Sequence, residues 1–245
     1  MKVKAVIFDL FGTLIDSFNG QEYRQVLSEM ASSLSLPEDL FYDLWSSSFN
    51  QRAKGVFKTL EESIDFISKE INKPVDERGI EQAIRIRLDY SKKSLVPRKD
   101  AIATLKQLKV LGLKIGLITD CTIEIPQIWN TTTLSQYFDS VIFSCSVGIK
   151  KPDPRIYHLA CKKLKVKPKD CLYIGDGSSR ELTGALHVGM FPILIRSPTE
   201  KNSVRYDEED WDGLRISSLS EILTYFNRRG SYKKSTFNHS STLRY

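Results

Sequence analysis

The chain has 245 residues, 41% of them hydrophobic and 27% charged, with a formal net charge of +6. That length suits one α/β domain with an insertion or two small domains, and the composition excludes wholesale disorder. No apolar run approaches the roughly 20 residues of a membrane-spanning helix, and Asp9 interrupts the apolar start with no small-residue cleavage site after it, so the expectation is a cytoplasmic protein with no secretory signal and no membrane partner.

The first predicted strand is Lys4–Leu10 (KAVIFDL). No convincing strand follows until residue 113. Instead, Gln21–Ser35, Leu40–Arg52, Phe57–Ile71 and Gly79–Lys92 carry apolar residues at helical spacing. A crossover needs only about a dozen residues, so residues 16–96 are predicted to form a helical cap inserted into a core of residues 1–15 and 97–227, with Pro97 marking the return. Asp100–Leu111 reads as a helix stopped by Gly112. Four more strands are predicted at Leu113–Asp120, Ser140–Ser146, Cys171–Asp176 and Phe191–Arg196, with helices at Asp153–Leu164 and Arg180–Val188 between them. The strands are near-continuous apolar runs, the pattern of strands covered on both faces. The fold class is therefore α/β: a doubly wound, parallel, five-stranded Rossmann-like core with an all-helical insertion.

From Arg228 onward five basic residues stand with no acidic one, and without them the chain is left with +1. The basicity belongs to a Ser/Thr-rich tail, residues 228–245, predicted to be disordered. No nucleic-acid partner is expected, and oligomeric state stays open. Cys121, Cys145, Cys161 and Cys171 lack metal-type spacing and read as buried reduced thiols.

In open α/β sheets ligands bind beyond the carboxyl ends of the strands. The first strand delivers Asp9 there, with Gly12 and Thr13 after it. The second delivers Thr119 and Asp120, the third leads into Lys150-Lys151-Pro152, and the fourth delivers Gly175-Asp176-Gly177 with Glu181 beyond. Two carboxylates facing one pocket would repel a phosphate unless a hard cation joined them, and oxygen-only ligation points to Mg²⁺. A carboxylate can also act as nucleophile, while the hydroxyl, the lysine and freed amides offset phosphoryl charge.

In these residues the chain resembles the haloacid dehalogenase-like hydrolases, mostly Mg²⁺-dependent phosphatases. VIFDLFGTLID, ITDCT, KKPDPRIY and YIGDGSSREL match that family's four motifs in order, and the resemblance covers Val3–Leu14 and Val96–Phe226. It implies Asp9 as nucleophile and metal ligand, Thr119 and the Asp120 amide as phosphoryl-binding groups, and Lys151 as the motif lysine. It implies Asp176 as second metal carboxylate, the Phe11 carbonyl as a third metal ligand, and Glu181 as holder of a metal-bound water. The implied partner is a small phosphorylated metabolite.

The main departure is Phe11. Most phosphatases of the family carry an Asp there, which protonates the leaving oxygen and later activates water. General acid–base help is worth about 10²–10⁴ in rate. Asp16 and Glu22 are near enough in sequence to be considered as replacements; otherwise the substrate has a good leaving group or the enzyme is slow. An aromatic residue at this position is also found in the family's metal-independent 2-haloacid dehalogenases, which gives the alternative reading, although those lack the Gly-Asp pair seen at Gly175-Asp176. A weakly active or non-catalytic member acting as a binding protein is the third reading. Ser178 and Ser179 read as helix-start residues. Arg52 and Lys54 in the cap could reach a substrate anion, but as isolated basic residues at a helix end they read as solvated.

Overall fold

The computed structural model describes residues 2–17, 19–197 and 207–226; the predicted tail at 228–245 lies outside them. Six strands, β1 (Ala5–Phe8), β2 (Lys114–Thr119), β3 (Ser140–Phe143), β4 (Cys171–Gly175), β5 (Phe191–Ile195) and β6 (Arg215–Ile216), form one sheet in the order β3-β2-β1-β4-β5-β6. Every pairing is parallel. The predicted count of five is corrected to six. β6 adds two residues beside Leu194 and Ile195, too few to leave a periodic signal. The predicted third strand also ends early. After Phe143 the chain turns into a short helix, Ser144–Val147, where the Ser144 hydroxyl accepts from the Cys121 amide at 3.0 Å.

The continuous apolar runs have a direct cause: successive side chains enter different cores. Val6 and Phe8 join Leu117, Ile174 and Ile193 on one face, whereas Ala5 and Ile7 join Ile118, Tyr173 and Leu194 on the other. The first face is covered by a helix at Ala101–Val110 through Leu105 and Leu108, and by Leu219 and Ile222 near the C-terminus. The second is covered by helices at Pro154–Leu164 and Glu181–His187 through Ile156, Tyr157, Leu164, Leu182 and Ala185. Each fully buried aliphatic or aromatic side chain contributes about 1.5–3 kcal/mol of transfer free energy, set against the entropy of ordering the chain.

Between β1 and the helix at Ala101 come five helices: α1 (Gly20–Ser33), α2 (Glu38–Ser47), α3 (Phe49–Ala53), α4 (Leu60–Ile71) and α5 (Glu77–Ser94). They pack around an apolar cluster of their own that includes Leu27, Met30, Phe41, Trp45, Ile64 and Ala83. The chain leaving and the chain returning meet where Ile15 bridges Pro97 and the Arg98 amide donates to the Leu14 carbonyl at 2.9 Å. The predicted helix Leu40–Arg52 is broken at Ser48. There the Ser48 hydroxyl and the Arg52 guanidinium both donate to the Trp45 carbonyl, competing with the helical ladder. The predicted helix at Phe57 starts instead at Leu60, because Thr59 caps it by accepting from the Glu62 amide.

Candidate active site

β1 lies between β2 and β4, the point at which the strand order reverses. The carboxyl ends of these three strands therefore open onto one crevice. Asp9 follows β1 and is only 4% exposed; its amide donates to the Ile174 carbonyl, which ties it to β4. Asp176 follows β4 and is equally buried. Glu181 opens the helix Glu181–His187 after one short 3-10 turn, and oxygens of Asp9, Asp176 and Glu181 lie within 4.8 Å of one another.

Two glycines make this convergence possible. Gly12 has φ +74, and a Cβ there would overlap Oδ2 of Asp176. A Cβ on Gly175 would overlap the Glu181 carboxylate. The chain can bring acids from two strand ends together only where it has no side chains of its own.

Lys151 is the one ammonium among them in the described residues. Its Nζ donates to Asp9 Oδ1 at 2.6 Å and to Glu181 Oε2, and the lysine is 3% exposed. Its amide donates to Asp120 Oδ1 at 3.0 Å. Glu181 is held on every side: Oε1 accepts from the Gly177 amide, and Oε2 accepts from the Tyr173 hydroxyl at 2.7 Å as well as from Lys151. Asp9 Oδ2 accepts from Thr13 at 3.2 Å.

Burial, with the charge of Asp176 added, pushes the Asp9 carboxyl up to about 6 despite Lys151. Burial, followed by the charge of Asp9, raises Glu181 well above the carboxylate range. Burial works against the charged lysine, but Asp9 and Glu181 more than offset it and raise Lys151. Three carboxylates against one ammonium leave the cluster two charges short of neutral when all are ionised. Oxygen-only donors and excess negative charge fit a hard divalent cation.

The sequence-derived set comes together in part. Asp9, Phe11, Asp120, Lys151 and Asp176 border one cavity. Thr119 ends β2 with its hydroxyl fully buried and without a hydrogen-bond partner among the described residues, but it does not border that cavity. Glu181 lies behind Lys151, engaged as described. Neither acid considered as a stand-in at Phe11 faces the site. Asp16 is exposed and pairs with Arg98 at 3.2 Å, and Glu22 is exposed on α1.

Arg52 corrects the sequence reading. It is 3% exposed and borders the cavity, whereas Lys54 is exposed as expected. Arg87 and Glu124 also border it and were not singled out from sequence. Arg87 stands in the buried stripe Gly79, Ala83, Arg87 and Ser91 of α5; a charge inside a stripe of small residues was the available signal. The four cysteines are free and buried, with Cys121 and Cys145 sulfurs 4.0 Å apart and Cys161 and Cys171 sulfurs 3.8 Å apart. Among the described residues no helix is long and apolar enough to cross a membrane.

The chain is similar to known proteins over most of its length. It is 26% identical over 225 residues to a glyceraldehyde 3-phosphate phosphatase of Methanopyrus kandleri, covering 90% of this chain and 96% of the relative. It is 29% identical over 202 residues to (S)-2-haloacid dehalogenase H-109 of Pseudomonas putida, covering 78% and 84%. The crystal structure of a HAD phosphatase from Thermococcus onnurineus shares the fold with a TM-score of 0.62 at 24% identity, over 91% of this chain and 97% of that one. The family model for haloacid dehalogenase-like hydrolases matches residues 3–189, a span that includes every strand-end acid described above, and the chain belongs to that family.

Proposed function

We propose that this hydrolase is a Mg²⁺-dependent phosphatase of a small phosphorylated metabolite, with Asp9 as nucleophile. The observation that carries the reading is the meeting of Asp9, Asp176 and Glu181 around Lys151 in a buried crevice. Asp9, Asp176 and the Phe11 carbonyl would hold the cation, which when bound supplies neutralisation of the carboxylates and of the phosphoryl oxygens. The helices from 16 to 96 act as the cap over the crevice.

Asp9 attacks phosphorus, the bond to the leaving oxygen breaks, and water then hydrolyses the aspartyl-phosphate. Lys151 orients Asp9 and faces the phosphoryl oxygens; Glu181, fixed by Tyr173 and the Gly177 amide, keeps the ammonium in place. In this reading the Asp120 amide completes the phosphoryl site at the cavity wall, with the Thr119 hydroxyl as a donor buried behind it. Phe11 brings a ring where an acid would stand, so turnover favours substrates whose leaving oxygen departs without a proton.

The test is phosphate release from a panel of phosphorylated metabolites, glyceraldehyde 3-phosphate among them, with Mg²⁺. Chelator and Asp9→Asn should each abolish it. Release indifferent to both would overturn the reading.

Phe11 and the (S)-2-haloacid dehalogenase relative favour a second reading, halide displacement by Asp9 without metal. Asp176 weighs against it, because a second buried carboxylate raises Asp9 and weakens the nucleophile unless a cation intervenes. Metal-independent halide release from a 2-haloacid would establish this alternative.

A further inference from the structure

The cavity that Asp9 borders is also bordered by two buried guanidinium groups, Arg52 on α3 and Arg87 on α5. Both are 3% exposed, and both lie against the Trp45 ring, at 4.1 and 5.8 Å from its centroid. Their chemistry differs. Arg87 donates twice to Glu124 Oε1, at 2.9 and 2.6 Å. Arg52 donates to neutral oxygens, the Trp45 carbonyl and the Ser48 hydroxyl, with the Tyr23 hydroxyl also beside it, and forms no ion pair among the described residues. Nη1 of each arginine is buried and has no hydrogen-bond acceptor among the described residues.

Two guanidinium groups and one carboxylate leave one positive charge over. A buried charge without an ion-pair partner of its own is costly, and a buried N–H without an acceptor adds to that cost. Burial accordingly holds the Arg52 guanidinium below its ordinary range. An oxyanion entering from the cavity would remove these costs, and the planar fork of arginine suits carboxylate and phosphoryl oxygens.

We propose that Arg52, with Arg87 beside it, receives a second oxyanion of the substrate, a carboxylate or a second phosphoryl group, while the first phosphoryl group lies at Asp9 and Lys151. The proposal rests on the reading of Asp9 and Lys151 as the phosphoryl site. Arg87 is already shared with Glu124, so Arg52 is the main receptor. The substrate class narrows to small phosphate esters with two anionic ends.

The test reads binding and needs no turnover. Calorimetry on the full chain with Mg²⁺ compares ω-carboxyalkylphosphonates of two to four carbons with alkylphosphonates of the same length; alkane bisphosphonates form a third arm that separates a carboxylate from a second phosphoryl group. At the best spacer the two-anion probe should bind about tenfold or more tightly than its one-anion partner, and Arg52→Gln should reduce that preference to within twofold. A preference below twofold in the wild type, or one retained in folded Arg52→Gln, would overturn the proposal. Should that variant fail to fold, the Arg52 Nε–Hε resonance of ¹⁵N-arginine-labelled wild type decides: it should shift with the two-anion probe and stay unmoved with the alkylphosphonate, and equal behaviour with both would overturn it. Dianion binding through Arg52 without any phosphate release would refute the phosphatase reading and leave this receptor standing.

Discussion

Arg87 on α5 and Glu124, just beyond β2, form a buried ion pair with Nη2 and Oε1 2.6 Å apart and the side chains 4% and 0% exposed. The pair links the inserted helices to the sheet. Glu124 Oε1 also accepts from the Thr122 hydroxyl at 2.6 Å. Removing one partner leaves the other as an isolated buried charge, which costs about 3–5 kcal/mol. Arg87→Gln should therefore destabilise by that amount in urea melts, and the double variant Arg87→Gln/Glu124→Gln by clearly less. Equal losses would show that the charges are not coupled.

The same pair sets an acid limit. Burial raises the Glu124 carboxyl, but Arg87 and Thr122 more than offset it and leave it below its ordinary value. A carboxyl depressed on folding contributes stability that is fully present above its unfolded pKa of about 4.3 and is lost as pH falls through the lower folded value. The stability gap between wild type and Glu124→Gln should thus be constant from pH 7 to about 5 and shrink below pH 4. A gap that widened on acidification would have the wrong sign.

Gly12 is a geometric test of the carboxylate cluster. Alanine there meets Asp176 Oδ2 and must also hold φ +74. Gly12→Ala should lower phosphate release at least tenfold and weaken Mg²⁺ binding by calorimetry, with about 1–3 kcal/mol lost in stability. Unchanged metal affinity would mean that Asp176 is not held against this turn for a cation.

Phe11 borders the cavity and is half-buried. Phe11→Asp places a carboxyl two residues after Asp9, where it can protonate a leaving oxygen. Turnover of alkyl phosphates should rise about tenfold or more, up to the 10²–10⁴ that well-placed acid–base help supplies, while aryl phosphates change less than threefold. Equal gains on both would indicate that the wild type already has an acid.

Much of the fold was legible because both faces of the sheet are covered. The runs KAVIFDL and CLYIGD are continuous where a half-exposed strand would alternate, and Asp9 and Asp176 stand at their carboxyl ends. What sequence hid is local or long-range. β6 is two residues long. The break at Ser48 depends on side chains competing for one carbonyl. Arg52 looked like a solvated basic residue because its burial comes from Trp45, stacked beneath it after the fold forms. Arg87 and Glu124 are 37 residues apart in sequence, and no local pattern pairs them. Asp16 was plausible by proximity to Phe11, but it turns outward to Arg98.

Covalent chemistry at Asp9 is open to capture by borohydride reduction. Enzyme turning over a phosphate ester with Mg²⁺ is acid-quenched, reduced and digested, and the peptide containing residue 9 is weighed. An aspartyl-phosphate at Asp9 is expected to be reduced to homoserine at that position, and to be absent when substrate or Mg²⁺ is omitted. Sustained phosphate release with Asp9 unreduced, or reduction at a different residue, would contradict the account.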